Sequence, residues 1–73
     1  MEGIVKTANS RGFGFIATKQ GIDYYFHFTQ FSGDWKKLLL HIISDEKVSV
    51  TFDNDITAKD GPRALNVVPV SGL

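Results

Sequence analysis

Five short stretches rich in β-branched and aromatic residues recur along the chain, and they limit its fold more than any other feature. They read GIVKT, GFGFIAT, IDYYFHF, KVSVTF and ALNVVPV, with turn-forming residues between them. Gln20-Gly21 stands where a hairpin would close, and residues 53–62 form a turn-rich connection before the last stretch. The pattern predicts an all-β fold of five strands in a closed or nearly closed antiparallel barrel, because closure protects strand edges that a small open sheet exposes. A small sandwich or an SH3-like barrel is the alternative on pattern alone.

One segment between the third and fourth stretches favours a short helix. It reads DWKKLLLHII, residues 34–43, and Asp34 is a suitable N-cap. Two roles are open for it: it caps one end of the barrel, or it docks another protein or chain. The apolar residues with the i, i+3, i+4 spacing of a helix, which would also form the docking surface, are Leu38, Leu39, Ile42 and Ile43.

The length of 73 residues predicts one domain, residues 1–73, near the size at which a single core is only marginally sufficient. The chain contains no cysteine, so disulfides and cysteine-based zinc sites are excluded and stability must come from a hydrophobic core. No run approaches the roughly 18 apolar residues that span a bilayer, and the start MEGIVKT lacks the pattern of a signal peptide. We expect a soluble, monomeric, cytoplasmic protein.

A surplus of positive charge and most of the aromatic residues lie in the first half of the chain. Eight Lys and Arg balance eight Asp and Glu, which argues against affinity that rests on a large positive field. Residues 1–37 nevertheless carry five cations against three acids, and eight of the nine Phe, Tyr and Trp residues lie between positions 13 and 35. Rings bordered by Lys and Arg suit nucleic acid, because every base has a stackable face and the phosphates meet the cations.

Strand alternation sorts the aromatic residues into two sets. If polar tips mark the solvent side, the inward set is Ile16, Tyr24 and Phe26. The outward set is then Phe13, Phe15, Tyr25 and His27. An exposed patch of rings on adjacent strands is usually a binding surface. The alternative is that Phe13 and Phe15 belong to the core.

Three motifs resemble those of the cold-shock domain family. KTANSRGFGFI contains a first motif of the K/R-G-F-G-F-I type, YYFHF resembles the V-F-V-H-F type, and DGPRALNV resembles G-P-x-A-x-N-V. The similarity extends from Gly3 to Val67, with gaps in two loops. It implies a five-stranded OB-fold barrel that binds single-stranded RNA or DNA by stacking, with low sequence specificity. RGFGFIAT also resembles the first RNA-recognition-motif signature, but in that family the other aromatic motif lies upstream and two full helices cross the sheet.

The resemblance assigns roles to individual residues. Phe13, Phe15 and Tyr25 would stack on bases, and His27 and Phe28 would share the binding face. Trp35 falls near the family's loop aromatic, with a shifted spacing. The polar residues at or near positions that contact phosphates, sugars or base edges are Lys6, Asn9, Arg11, Lys36 and Arg63. For Arg63 the alternative is a solvated loop cation. The resemblance also implies a function as an RNA chaperone or as a regulator of transcription or translation, in cold or other stress.

The chain departs from the family pattern at Thr7 and Ala8, where the family usually places two aromatic residues. If each missing ring stacked on a base, their loss would weaken binding by about 2 to 6 kcal/mol. A second departure is the long apolar segment LLLHIISDEK. Together they leave an alternative function open, namely a protein-interaction barrel that has lost nucleic-acid affinity and docks through residues 38–43.

Catalytic and metal sites are not predicted. His27 and His41 have no acidic cluster to complete a metal site, so no metal or cofactor is expected. Asp53, Asp55 and Asp60 lack the spacing of a calcium loop and are interpreted as loop solvation. No nucleophile motif, phosphate-cradling loop or carboxylate pair stands out, which predicts a non-enzymatic protein.

Overall fold

The computed structural model describes residues 1–71, which form five strands and two short helical segments. The strands are β1 (Glu2–Ala8), β2 (Phe13–Ala17), β3 (Asp23–His27), β4 (Ser49–Asn54) and β5 (Ala64–Pro69). A single 3-10 turn, Phe28–Gln30, follows β3, and the helix α1 spans Trp35–Ile43. The predicted strands and the predicted helix after the third strand are confirmed, whereas the 3-10 turn was not foreseen. No helix in the described part of the chain is long and apolar enough to cross a membrane.

The strands form one antiparallel sheet in the order β3-β2-β1-β4-β5. Its outer strands approach each other: the Tyr25 N–H donates to the Pro62 carbonyl at 3.0 Å, and the Ser32 N–H donates to the Val67 carbonyl at 2.8 Å. Pairing slips within β1, between Val5 and Thr7, and such irregularities bend a strand and increase its twist. The sheet therefore curls into a nearly closed OB-type barrel, as the pattern and the resemblance predicted, and the sandwich alternative is wrong.

The core lies inside this barrel and takes inward-facing residues from every strand. Ile16 and Phe26 are completely buried and Tyr24 is 6% exposed, so the predicted inward set is confirmed. Burial of each large apolar side chain stabilises the fold by about 1.5–3 kcal/mol. The buried hydrophobic residues are Val5, Ile16, Tyr24, Phe26, Phe31, Leu38, Val48, Val50, Phe52, Ala64 and Val67.

Helix α1 covers one end of the barrel. The Asp34 carboxylate accepts hydrogen bonds from the Lys36 and Lys37 N–H groups at 3.0 and 3.3 Å, which confirms it as the N-cap. Leu38 is completely buried, so its predicted part in a docking surface is wrong. The capping role is the one this packing supports. Leu39 and Ile42 are half-buried, and the apolar residues of the helix that face solvent are Leu40 and Ile43.

Candidate nucleic-acid interface

Four rings lie side by side on the outer surface of β2 and β3. The register pairs Phe13 with His27 and Phe15 with Tyr25. The ring centroid of Tyr25 lies 6.1 Å from that of Phe13 and 5.9 Å from that of Phe15. Phe15 is 40% exposed, and the other three rings are half-buried. The predicted outward set is confirmed, and the interpretation that Phe13 and Phe15 are core residues is wrong.

Phe28 joins this surface because β3 ends at His27. Continued alternation would turn Phe28 inward with Phe26, but the 3-10 turn redirects the chain and leaves Phe28 48% exposed. Its ring centroid lies 4.7 Å from that of His27. The ring fits because Gly12 has no side chain: a Cβ atom there would lie 2.5 Å from Phe28 Cδ1, and Gly12 has a φ of +98°.

Trp35 connects the outer rings to the core. As the first residue of α1, it packs against Phe26 and Phe31, with centroid separations of 5.7 Å in both cases, and lies 6.3 Å from Phe28. Its indole Nε1–H donates to the Asn9 carbonyl at 2.9 Å. Trp35 therefore packs partly against the core and is partly exposed at the surface. We call the surface of Phe13, Phe15, Tyr25, His27, Phe28 and Trp35 the aromatic face.

The other predicted contact residues lie in or next to the strands and the helix that carry the aromatic face. Lys6 Nζ lies 3.0 Å from Asp23 Oδ2 in an exposed ion pair, which contributes little to stability. Asn9 Oδ1 accepts a hydrogen bond from the Arg11 N–H at 3.0 Å, so the Asn9 side chain orders the loop between β1 and β2. The side chains of Arg11 and Lys36 are exposed.

The Arg63 side chain is held in an ion pair with Asp55. Its Nε and Nη2 atoms lie 3.0 and 2.9 Å from Asp55 Oδ2. The other carboxylate oxygen, Asp55 Oδ1, accepts from the Thr57 hydroxyl at 2.6 Å and from the Thr57 N–H at 3.0 Å. These hydrogen bonds from Thr57, and then the Arg63 guanidinium, hold the pKa of Asp55 below its usual value of 3.8. Half of the Arg63 side chain stays exposed.

The interpretation of three aspartates as loop solvation is wrong for Asp55. Asp55 is only 7% exposed and is the one buried charged residue among residues 1–71. Asp53 lies in β4 and accepts from Asn66 Nδ2 at 2.9 Å, whereas Asp60 is an exposed loop residue. The Asp-x-Thr spacing of Asp55 and Thr57 is the sequence signal for this arrangement. At this spacing an aspartate accepts hydrogen bonds from the residue two positions later.

Two clefts border the aromatic face. One, of about 600 Å³, lies between Phe15, Tyr25 and the loop 57–63. The other, of about 280 Å³, is lined by His27, Gln30 and Leu65 among others. Tyr25 and Arg63 line both clefts and form the ridge between them. Gln30, and Lys59 in the larger cleft, are lining residues that sequence reasoning missed.

The aromatic face has a gap on the β1 side. Thr7 pairs with Phe15 and is exposed, and Ala8 pairs with Gly14 and packs against the core. No ring therefore borders Phe15 from β1.

Comparisons with known proteins agree with this geometry. The family model of the "'Cold-shock' DNA-binding domain" matches residues 1–70. "Cold shock protein 1" of Lactiplantibacillus plantarum is 40% identical over 68 residues, which cover 92% of this chain and 94% of the relative. "Cold shock-like protein CspE" of Bacillus anthracis is 41% identical over 69 residues, or 93% and 94% of the two chains. "Cold shock protein CspD" of Bacillus subtilis is 40% identical over 60 residues, 82% of each chain.

Proposed function

The chain belongs to the cold-shock domain family of nucleic-acid-binding proteins, and we propose that it binds single-stranded RNA or DNA by stacking successive bases on the aromatic face. The observation that carries this proposal is the run of neighbouring rings on β2 and β3, from the 40% exposed Phe15 to the 48% exposed Phe28. Stacking on such rings contributes about 1–3 kcal/mol per base and tolerates any sequence, because every base has a π-face.

The packing beneath the rings favours this mode of binding. Tyr25 contacts two neighbouring rings, and the Phe28 ring lies against Gly12 and near His27. Rings that are already held in place lose little conformational entropy when a base stacks on them. The equal numbers of cations and acids give no large positive field, so stacking supplies more of the affinity than charge does.

Binding of this kind would keep single strands from pairing, because bases that lie on protein rings are not available to a complementary strand. We therefore propose a non-enzymatic role as an RNA chaperone or as a regulator of transcription or translation. In this role the protein would act in the cytoplasm as a monomer composed of one domain, and its partner is the nucleic acid itself.

Removal of single rings tests the proposal. We expect Phe15→Ala and Tyr25→Ala each to weaken binding of a single-stranded heptanucleotide by about five- to 150-fold, the equivalent of about 1–3 kcal/mol. Fluorescence titration measures the affinity, and circular dichroism with urea unfolding reports whether the barrel is intact.

Ile4→Ala is the matched control. Ile4 is 39% exposed, about as much as Phe15, and it lines a groove with Glu2, Ala17 and Val70 that contains none of the six rings of the aromatic face. We expect wild-type affinity for this variant. The proposal fails if the two ring variants fold and bind as tightly as wild type, or if Ile4→Ala weakens binding equally.

A further inference from the structure

We infer that Arg63, held by Asp55 beside Tyr25, reads the O6 and N7 atoms of one guanine, so that one position of the bound strand is guanine-selective. This inference rests on the proposed function, since it assigns a base preference to one point of the same surface. It differs from the family-derived expectation of low sequence specificity.

The hydrogen bonds between Arg63 and Asp55 use one edge of the guanidinium and leave another edge available to bind a base. Asp55 Oδ2 occupies the side edge, formed by Nε and Nη2. The end edge, formed by Nη1 and the second Nη2 hydrogen, makes no hydrogen bond or ion pair with another side chain within residues 1–71. Two parallel N–H donors match the adjacent O6 and N7 acceptors of guanine, which is the commonest base-specific contact of arginine.

The charge of the pair favours a base edge over a phosphate. An aspartate of ordinary pKa is already ionised at neutral pH, and the Thr57 hydrogen bonds lower the pKa of Asp55 further. The Asp55 carboxylate therefore neutralises Arg63, and the pair offers directed donors without net positive charge. A phosphate gains most from an unpaired cation, whereas a neutral base edge gains from donors in a fixed position.

The backbone fixes Arg63 next to a stacking ring. The Asp55 N–H donates to the Arg63 carbonyl at 2.8 Å, and the Tyr25 N–H donates to the Pro62 carbonyl at 3.0 Å. Tyr25 and Arg63 form the ridge between the two clefts. A base stacked on Tyr25 therefore has its edge within reach of the guanidinium, and Asp55 is the positioning residue that aims it.

The test uses the full chain and a set of heptanucleotides. Heptathymidine is compared with seven variants that each carry one dG, which locates the position that faces Arg63. At that position we expect dG to bind about five- to 150-fold tighter than dT, from about 1–3 kcal/mol for a bidentate contact. Inosine, which keeps O6 and N7, should retain the preference, and 7-deazaguanine, which lacks N7, should lose most of it.

Three variants separate base reading from charge. Arg63→Lys keeps the cation but loses the planar fork of two fixed donors, so it should lower the affinity for the dG variant more than the affinity for heptathymidine and thereby reduce the dG preference. Asp55→Asn should reduce the preference in a folded protein. Lys59→Gln, which removes a cation from the same cleft, should weaken both oligonucleotides equally and keep their ratio.

The outcomes distinguish this inference from the proposed function. If wild type binds heptathymidine and every dG variant with equal affinity, the guanine subsite is wrong and the stacking proposal stands. If Arg63→Lys lowers the affinity for heptathymidine and for the dG variant by the same factor, Arg63 does not distinguish guanine and the guanine subsite is wrong. If no oligonucleotide binds, both fail.

Discussion

At the scale of single residues, Gly12 decides where the Phe28 ring lies. Its φ of +98° is one that residues with a side chain rarely adopt, and a Cβ atom would meet the ring of Phe28. We expect Gly12→Ala to lower the free energy of unfolding by at least about 1–2 kcal/mol and also to displace Phe28 from the aromatic face. Urea unfolding and oligonucleotide titration of the same variant measure the two effects.

Gly21→Ala separates the backbone effect from the ring effect. Gly21 also has a positive φ, of +80°, but apart from its two chain neighbours no described residue would have an atom within 4 Å of a Cβ there. Both variants should lose stability, and only Gly12→Ala should also bind oligonucleotides more weakly. Equal affinities of the two folded variants would contradict a binding role for Phe28.

Asp55 makes the stability of the barrel sensitive to acid. Because its pKa is lowered in the folded protein, the unfolded chain takes up the proton more readily. The stabilisation from Asp55 is therefore complete above its unfolded value of about 3.8 and is lost as the pH falls through the lower folded value. We expect the urea concentration at the midpoint of unfolding to decrease as the pH is lowered from about 5 to about 2.

Asp55→Asn should be less stable than wild type at neutral pH and should show a smaller decrease on acidification. Asp60→Asn, at an exposed position of the same loop, should follow wild type. The assignment is contradicted if the Asp55 variant keeps the full acid dependence.

At the scale of elements, the pairing of β1 with β2 offers a way to restore binding. Thr7 is exposed and lies opposite Phe15, at one of the two positions where the family usually carries rings. We expect Thr7→Trp to strengthen oligonucleotide binding by about five- to 150-fold, because one further ring can stack on a base. Fluorescence titration at fixed salt measures the gain.

Thr51→Trp is the control for this gain. Thr51 is an exposed threonine of β4 whose strand neighbours are Glu2 and Val68, away from the aromatic face. It should bind as wild type does. A similar gain in both variants would show that an added tryptophan acts without the neighbouring rings.

The strands were predictable from sequence to within about two residues, because β-branched and aromatic stretches alternate with turn residues. The inward and outward sets on β2 and β3 also followed from alternation. Phe28 did not, since its exposure depends on the 3-10 turn, and a turn of three residues has no periodic pattern to detect. The resemblance alone placed Phe28 on the binding face.

At the scale of the whole molecule, barrel closure brings together residues that the sequence keeps apart. Arg63 lies 38 positions after Tyr25, yet the two pair across the contact between β3 and β5. The Asp55–Arg63 ion pair also depends on how the loop 57–63 folds, which the turn signals did not specify. Long-range contacts of this kind arise from tertiary packing. The motif therefore identified Arg63 but not the ion pair with Asp55 that holds its side chain.

Net charge is the other property of the whole molecule, and it predicts how binding responds to salt. Eight cations balance eight acids, and Lys6 and Arg63 are engaged in ion pairs. The exposed cations beside the aromatic face are Arg11, Lys36 and Lys37, which are close to its rings in the sequence, and Lys59, which lines the larger cleft. Four phosphate contacts by these residues would give a slope of about −3 for log affinity against log salt on a single strand.

Titration of Trp35 fluorescence with heptathymidine at about 50 and 200 mM salt tests stacking on the aromatic face most directly. We predict saturable quenching with micromolar or tighter affinity at low salt, and a slope no steeper than about −3. Absence of binding at low salt would show that the rings present do not suffice without aromatic residues at Thr7 and Ala8. A slope steeper than about −4 would show that charge, rather than stacking, holds the strand.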